Sequence, residues 1–326
     1  METQQQTDKQ TTEKRKLHGL HPRDYEHPFD KQALDILEGT PGFEYVSKKM
    51  FEYGFEQLYK VEFTGSSIRV NERNFPDLYK TYQEVTEILY MDQQPELYIT
   101  FSEHINAFAA GVQKPIIVVT SACIDHLTTD ELMHIMGHEM GHVKSNHVLY
   151  HTMGRVLNTV GGIVGQMTLG LGKVVFTGLQ LAIYNWQRMS EFTADRAGLL
   201  TCQDPNIACS TMIKLAGLPK KYYHKNIVED FIQQAKDFED LDYENISKIA
   251  KLLASRNRSH PWTVVRCAEF FKWVDSGEFD DIMNFHENRQ VEMKVSDSDK
   301  ACPNCNYMIV KGNGFCGNCG KKMVWG

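Results

Sequence analysis

Apolar residues recur at spacings of three and four between Asp30 and Tyr90, at Leu34, Ile36 and Leu37 and then at Val46, Met50, Phe51, Phe55 and Leu58. That period predicts amphipathic helices. A further helix is expected over about Pro76–Tyr90, with Leu78, Tyr82, Val85, Ile88 and Leu89 on one stripe, and the aromatic residues of this half are expected in the core. The period then changes to two β-rich runs, Glu96–Thr100 and Pro115–Thr120, separated by Asn106–Gly111, which predicts a small antiparallel sheet. Thr128 followed by Glu131 is a capping-box signature, so a helix is expected to begin there. From Val156 to Tyr184 the only charge is Lys173, and glycines recur. A membrane-spanning helix needs about 20 predominantly apolar residues. The uncharged stretch before Lys173 is shorter and contains Asn158, Thr159, Gln166 and Thr168, which favours a helical hairpin packed on the rest of the protein. A hairpin that dips into a membrane is the competing reading. Helices resume over Asn206–Leu215, Asn226–Lys236 and Asn245–Ala254. Pro261 biases its predecessor away from helical angles, giving a loop over Arg256–Pro261 before a last helix at Trp262–Val274. The expected fold class is α+β, mainly α-helical.

With 326 residues, 42% of them apolar, the chain can bury one large core or two smaller ones. A net charge of -7 argues against a general nucleic-acid binder. Residues 1–27 are polar, lack an apolar run of signal-peptide length and are expected to form a disordered tail. A main domain is expected over 28–275, a linker over 276–299 and a small module over 300–326. In that module Cys302 and Cys305, then Cys316 and Cys319, form two CxxC knuckles with glycines at 312, 314 and 317, the spacing of a zinc ribbon around one structural Zn2+. Positive charge there is limited to Lys311, Lys321 and Lys322, so a protein partner is favoured over nucleic acid. Cys123, Cys202, Cys209 and Cys267 have no framework spacing, which suits free buried thiols and a cytoplasmic location.

The chemistry centres on His138-Glu139-Met140-Gly141-His142. On a helix, residues four apart share a face, so two imidazoles can converge on one cation with Glu139 beside them as a general base. Glu191 and Asp195 are again four apart. Glu191 can complete a shell of two histidines and one carboxylate, leaving the fourth corner of a catalytic zinc to water. Asp195 can accept a hydrogen bond from the far nitrogen of a ligating histidine. Ala194 and Ala197 let two helices approach closely. His134 and His147 are read as supporting or surface residues and not as ligands.

The ordered series His138-Glu139-x-x-His142, Glu191-x-x-x-Asp195 and Ser259-His260-Pro261 with Arg266 resembles the HtpX and CAAX prenyl endopeptidase family of gluzincin-type zinc metallopeptidases, from about Tyr45 to Asp275. The resemblance implies a zincin-like domain, zinc held by His138, His142 and Glu191, water activated by Glu139, polypeptide substrates and a role in protein quality control. It places His260 and Arg266 near the metal, where they bind the scissile carbonyl or fill the open corner. Asn106, Ala107, Phe108 and Ala109 are similar to the family's substrate-pairing edge strand. Members often carry a membrane hairpin, which for 156–184 would put the protein at the inner face of a membrane. Two other classes compete: a proteolytically weak chaperone or adaptor, and a regulator centred on the ribbon.

Overall fold

In the computed structural model, residues 14–52, 55–112, 114–163, 173–223, 226–240, 262–287, 300–301, 303 and 308–309 are described. The expected helix at Asn245–Ala254, His260, the hairpin tip at 164–172 and Cys302, Cys305, Cys316 and Cys319 lie outside the described residues.

A four-stranded sheet orders the middle of the chain. Its strands are β1 (Ile68–Arg69), β2 (Glu96–Thr100), β3 (Ala107–Ala110) and β4 (Ile116–Thr120), in the spatial order β1-β2-β4-β3. The sheet is mixed, which corrects the antiparallel expectation: β2 and β4 run parallel, while β1 is antiparallel to β2 and β3 to β4. The reason lies in the segment between the two runs, whose Asn106–Ala109 stretch is also expected, by resemblance, as an edge strand. It is itself a strand and reverses the chain, so the runs on either side of it point the same way. Every residue of β4 is buried, which accounts for its unbroken apolar reading.

Before the sheet lie α1 (Pro22–Tyr25), α2 (Pro28–Glu38), α3 (Phe43–Glu52) and α4 (Phe55–Ser66), and α5 (Pro76–Ile88) lies between β1 and β2. After it come α6 (Ser121–His126), α7 (Thr129–Lys144), α8 (Val148–Ile163), α9 (Lys173–Cys202), α10 (Pro205–Leu215), α11 (Asn226–Asp240), α12 (Thr263–Asp275) and α13 (Glu278–Glu287). Two short strands, β5 (Lys300–Ala301) and β6 (Met308–Ile309), pair near the C-terminus. The arms of the expected hairpin are α8 and α9. No helix among the described residues is long and apolar enough to cross a membrane.

Residues 14–27 correct the expected tail. Leu17, Leu20 and Tyr25 are buried, and Leu17 N–H donates to Ile88 O. Three well-spaced apolar side chains tie down a segment whose average composition is polar.

The helix α7 sits between β3 and β4 on one side and α9 on the other. It starts at Thr128 with both halves of a capping box: Thr128 N–H donates to Glu131 Oε2 at 2.8 Å, and Glu131 N–H donates to Thr128 Oγ1 at 3.4 Å. Residues Glu131 to His142 are all buried. Buried polar groups need partners: His138 and His142 face Glu191 and Asp195 on α9, and Glu131 accepts from Ser210 and Lys214 on α10 as well as capping the helix. Close approach to α9 requires small residues. A Cβ on Gly141 would lie 2.5 Å from Ala197 Cβ, and one on Gly137 would lie 2.2 Å from Thr201 Oγ1.

Candidate metal centre

The α7–α9 seam brings His138, His142 and Glu191 together. One donor atom from each lies within 4.8 Å of the others, and all three residues are buried. His138 Nε2 stands 3.5 Å from Glu191 Oε2, and His142 Nε2 stands 3.5 Å from Glu191 Oε1. Tetrahedral ligands about 2.1 Å from a zinc ion sit roughly 3.4 Å apart, so the donor set fits the ion in type and in spacing.

The other nitrogen of each histidine is engaged. His138 Nδ1 lies 3.1 Å from Asp195 Oδ1, and His142 Nδ1 lies 3.0 Å from His147 Nδ1. Nε2 is therefore the nitrogen each ring turns toward Glu191. Burial works against the His138 imidazolium, but the hydrogen bonds and charges of Asp195 and Glu191 outweigh it and hold its pKa up at about 10. Burial pushes His142 down to about 4.

Asp195 is clamped by Arg266 on α12, whose Nε donates to Oδ2 at 2.8 Å and whose NH2 donates to Oδ1. Arg266 NH1 also lies 3.3 Å from Glu191 Oε2. Burial raises the Asp195 carboxyl, yet the Arg266 charge and hydrogen bonds prevail and hold it at about 2. Arg266 was expected near the metal, binding the scissile carbonyl or filling the open corner; the structure places it beside the cluster with its guanidinium turned to these two carboxylates.

His147, read from sequence as supporting or surface, is buried and reaches its place through a Schellman turn. The cap Ser145 is followed by Asn146 at φ 60°, His147 N–H donates to His142 O at 2.9 Å and Asn146 N–H donates to Val143 O at 3.1 Å. Asparagine tolerates this left-handed conformation, and the turn folds His147 back onto His142. Beyond it stands Asp30, on α2, whose Oδ2 is 3.0 Å from His147 Nε2. Asp30 Oδ1 accepts from Trp186 Nε1 at 3.0 Å, and Oδ2 accepts from Thr193 Oγ1 at 2.6 Å. Burial opposes the Asp30 carboxylate, but the charge and hydrogen bonds of His147 and the Thr193 hydroxyl hold its pKa below the ordinary value. Sequence reasoning missed Asp30, which lies more than a hundred residues from the motif. The one available signal was Asn146, a helix C-terminal residue that aims its neighbour backward. His134, the nearer competitor for the metal, packs its ring against Gly198, where burial lowers it to about 4.

Glu139 faces a cleft of about 300 Å³ shared with His142, Glu191, Arg155 and the segment Asn106–Ala109. The strand β3 forms an edge of the sheet. Thr120 N–H donates to Asn106 O, and in this register Asn106 opposes Thr120, so residues 106, 108 and 110 bond toward β4. By alternation, the N–H and C=O groups of Ala107 and Ala109 point away from it. The Ala109 carbonyl accepts from Arg155 NH1 and NH2, both at 3.3 Å.

Residues 72–274 match the profile of peptidase family M48. The chain is 30% identical to the plastoglobule-localized metallopeptidase 48 of Arabidopsis thaliana over 279 residues, covering 85% of this chain and 79% of that protein. It is 28% identical to protease HtpX homolog 2 of Methanosarcina acetivorans over 179 residues, covering 48% of this chain and 60% of that protein. The crystal structure of S. mikatae Ste24p aligns with a TM-score of 0.41 at 16% identity, covering 74% of this chain and 61% of that one. The profile match spans more than half of the chain and includes both metal-site motifs, and on that ground the protein belongs to peptidase family M48, a metallopeptidase family.

Proposed function

We propose that this protein is a zinc-dependent endopeptidase in which His138, His142 and Glu191 hold the ion and Glu139 is the general base, with protein quality control as its setting. The observation that carries the reading is the convergence of those three donors on one point, two of them, His142 and Glu191, lining the cleft that also contains Glu139 and the strand edge at Asn106–Ala109. A zinc ion in this donor set supplies Lewis acidity, lowering the pKa of water from about 15.7 toward about 7. Glu139 accepts the proton of the attacking water and passes it to the leaving amine. An extended polypeptide adds to β3 as a further strand, hydrogen-bonded to the outward groups of Ala107 and to Ala109 N–H. Arg155 takes the Ala109 carbonyl, so the paired stretch is short. Asp195 fixes the His138 tautomer, and Arg266 acts through Asp195 and Glu191 as a positioning residue. His260 is proposed as the oxyanion donor on family grounds, and Cys302, Cys305, Cys316 and Cys319 as a structural zinc site that engages a protein partner.

The test is Glu139→Gln, with zinc and the cleavage of an unfolded protein such as casein measured together. The expected outcome is unchanged zinc content and cleavage reduced by at least about a hundredfold, within the range for loss of a general base. Wild-type cleavage by that variant would refute the assignment.

A further inference from the structure

The two ligating histidines are supported unequally. His138 Nδ1 meets the Asp195 carboxylate directly, whereas His142 Nδ1 meets another imidazole, His147. Behind that imidazole lies Asp30. We infer that Asp30, acting through His147, is a positioning residue for His142, doing at one remove what Asp195 does for His138. This inference rests on the zinc-site reading of His138, His142 and Glu191.

The proton assignment along the relay is forced once Nε2 of His142 faces a cation. A neutral imidazole carries one N–H, so the His142 proton sits on Nδ1 and is donated to His147 Nδ1. That leaves the His147 proton on Nε2, 3.0 Å from Asp30 Oδ2, where it is donated. Every remaining contact of Asp30 in this cluster is also with a donor, Trp186 Nε1–H and the Thr193 hydroxyl. The carboxylate is thus an acceptor three times over, and its charge is relayed through two rings toward the ion.

The surroundings make this a fixed arrangement. Asp30, His147, Trp186 and Thr193 are each no more than 3% exposed. Thr193 lies two residues after Glu191 on α9 and also accepts from His27 N–H at 3.0 Å, so one turn of α9 carries a ligand and the grip on α2. Asp30 precedes the residues 72–274 that match the family profile. The N-terminal segment therefore contributes a working part to the metal site and does more than cover the core.

Partners beyond the ligands typically change metal affinity by about 10–100-fold when removed. The experiment uses the full chain, with zinc affinity measured by competition with a chelator and the visible spectrum of the cobalt(II) form. Asp30→Asn and His147→Gln break the relay at different links, so loss of the fold in one leaves the other to decide; thermal unfolding without metal identifies a folded variant. Each folded variant should bind zinc about 10–100-fold more weakly and show shifted cobalt bands. The double variant should be no weaker than the worse single one, because both act through His142. Asp30→Asn combined with Asp195→Asn should lose more than either alone. Wild-type affinity and an unchanged cobalt spectrum in folded Asp30→Asn or His147→Gln would overturn the inference. Additive losses of Asp30→Asn and His147→Gln would overturn it equally. If His138→Ala and Glu191→Ala instead kept as many zinc ions per chain as wild type, the parent reading would fall, and this inference with it.

Discussion

The distance between α7 and α9 sets the metal geometry, and one methyl group tests it. Gly141 lies on the ligand helix facing α9, where an added Cβ would approach Ala197 Cβ to 2.5 Å and Ala194 Cα to 3.4 Å. Carbon atoms pack at about 3.5–4.0 Å, so Gly141→Ala must open the seam locally by roughly 1 Å or more. Ala197 Cβ is fixed to its backbone and cannot swing aside. Overpacking of this kind costs about 1–3 kcal/mol, against a helix-propensity gain of about 1 kcal/mol for Gly→Ala. Gly178 on α9 provides the control, since an added Cβ there meets nothing within 4 Å. Gly178→Ala should therefore collect the propensity gain alone, and Gly141→Ala should be less stable than it by about 1–3 kcal/mol in urea titration. Metal binding should suffer more than stability. Glu191 rides on α9 while both histidines ride on α7, and ligand distances are tolerated only within about 0.2 Å. Zinc affinity of Gly141→Ala should drop at least about tenfold. If Gly141→Ala matched Gly178→Ala in stability and wild type in zinc affinity, the close seam would not be what sets the site.

Ala107→Pro should preserve the fold, because the outward N–H it removes is not part of the β4 ladder and proline is tolerated on edge strands; kcat/KM for polypeptide cleavage should fall, and unchanged kinetics would remove β3 from substrate binding. The His27–Glu269 ion pair at 3.4 Å links the N-terminal segment to α12, and that hydrogen bond, with those of Lys272, holds Glu269 at about 2 against an ordinary 4.5. A depressed carboxylate contributes stability that is present above its unfolded pKa and lost as pH falls through the folded one. Glu269→Gln should thus destabilise the chain at pH 6 and by progressively less as the pH falls toward 2, and equal unfolding free energies of variant and wild type at pH 6 would contradict the linkage.

Much of the catalytic core was legible because it is written in helical spacing. Thr128 and Glu131 gave the start of α7, the four-residue intervals gave the shared faces of His138 with His142 and of Glu191 with Asp195, and Ala194 and Ala197 signalled a close seam. What stayed hidden depends on contacts between distant segments. Asp30 looked like any acidic residue opening an amphipathic helix, since its partners His147, Trp186 and Thr193 are fixed only by tertiary packing. The edge strand at Asn106–Ala109 was legible only by resemblance, since alanines and one phenylalanine carry little alternation, and the parallel β2–β4 pairing that its reversal of the chain produces was not legible. The tail was misjudged because Leu17, Leu20 and Tyr25 are too sparse to show a period, although each is buried. The place of Arg266 near the metal was legible by resemblance, whereas its partners Asp195 and Glu191 are fixed only by the packing of α12 on α9.

The most direct measurement is anomalous diffraction from crystals of the full chain at the zinc absorption edge. The account predicts a peak bounded by His138 Nε2, His142 Nε2 and a Glu191 carboxylate oxygen, with the fourth side open to the cleft that holds Glu139. No peak there in a chain that cleaves protein, or a peak with Glu191 turned away from it, would contradict it.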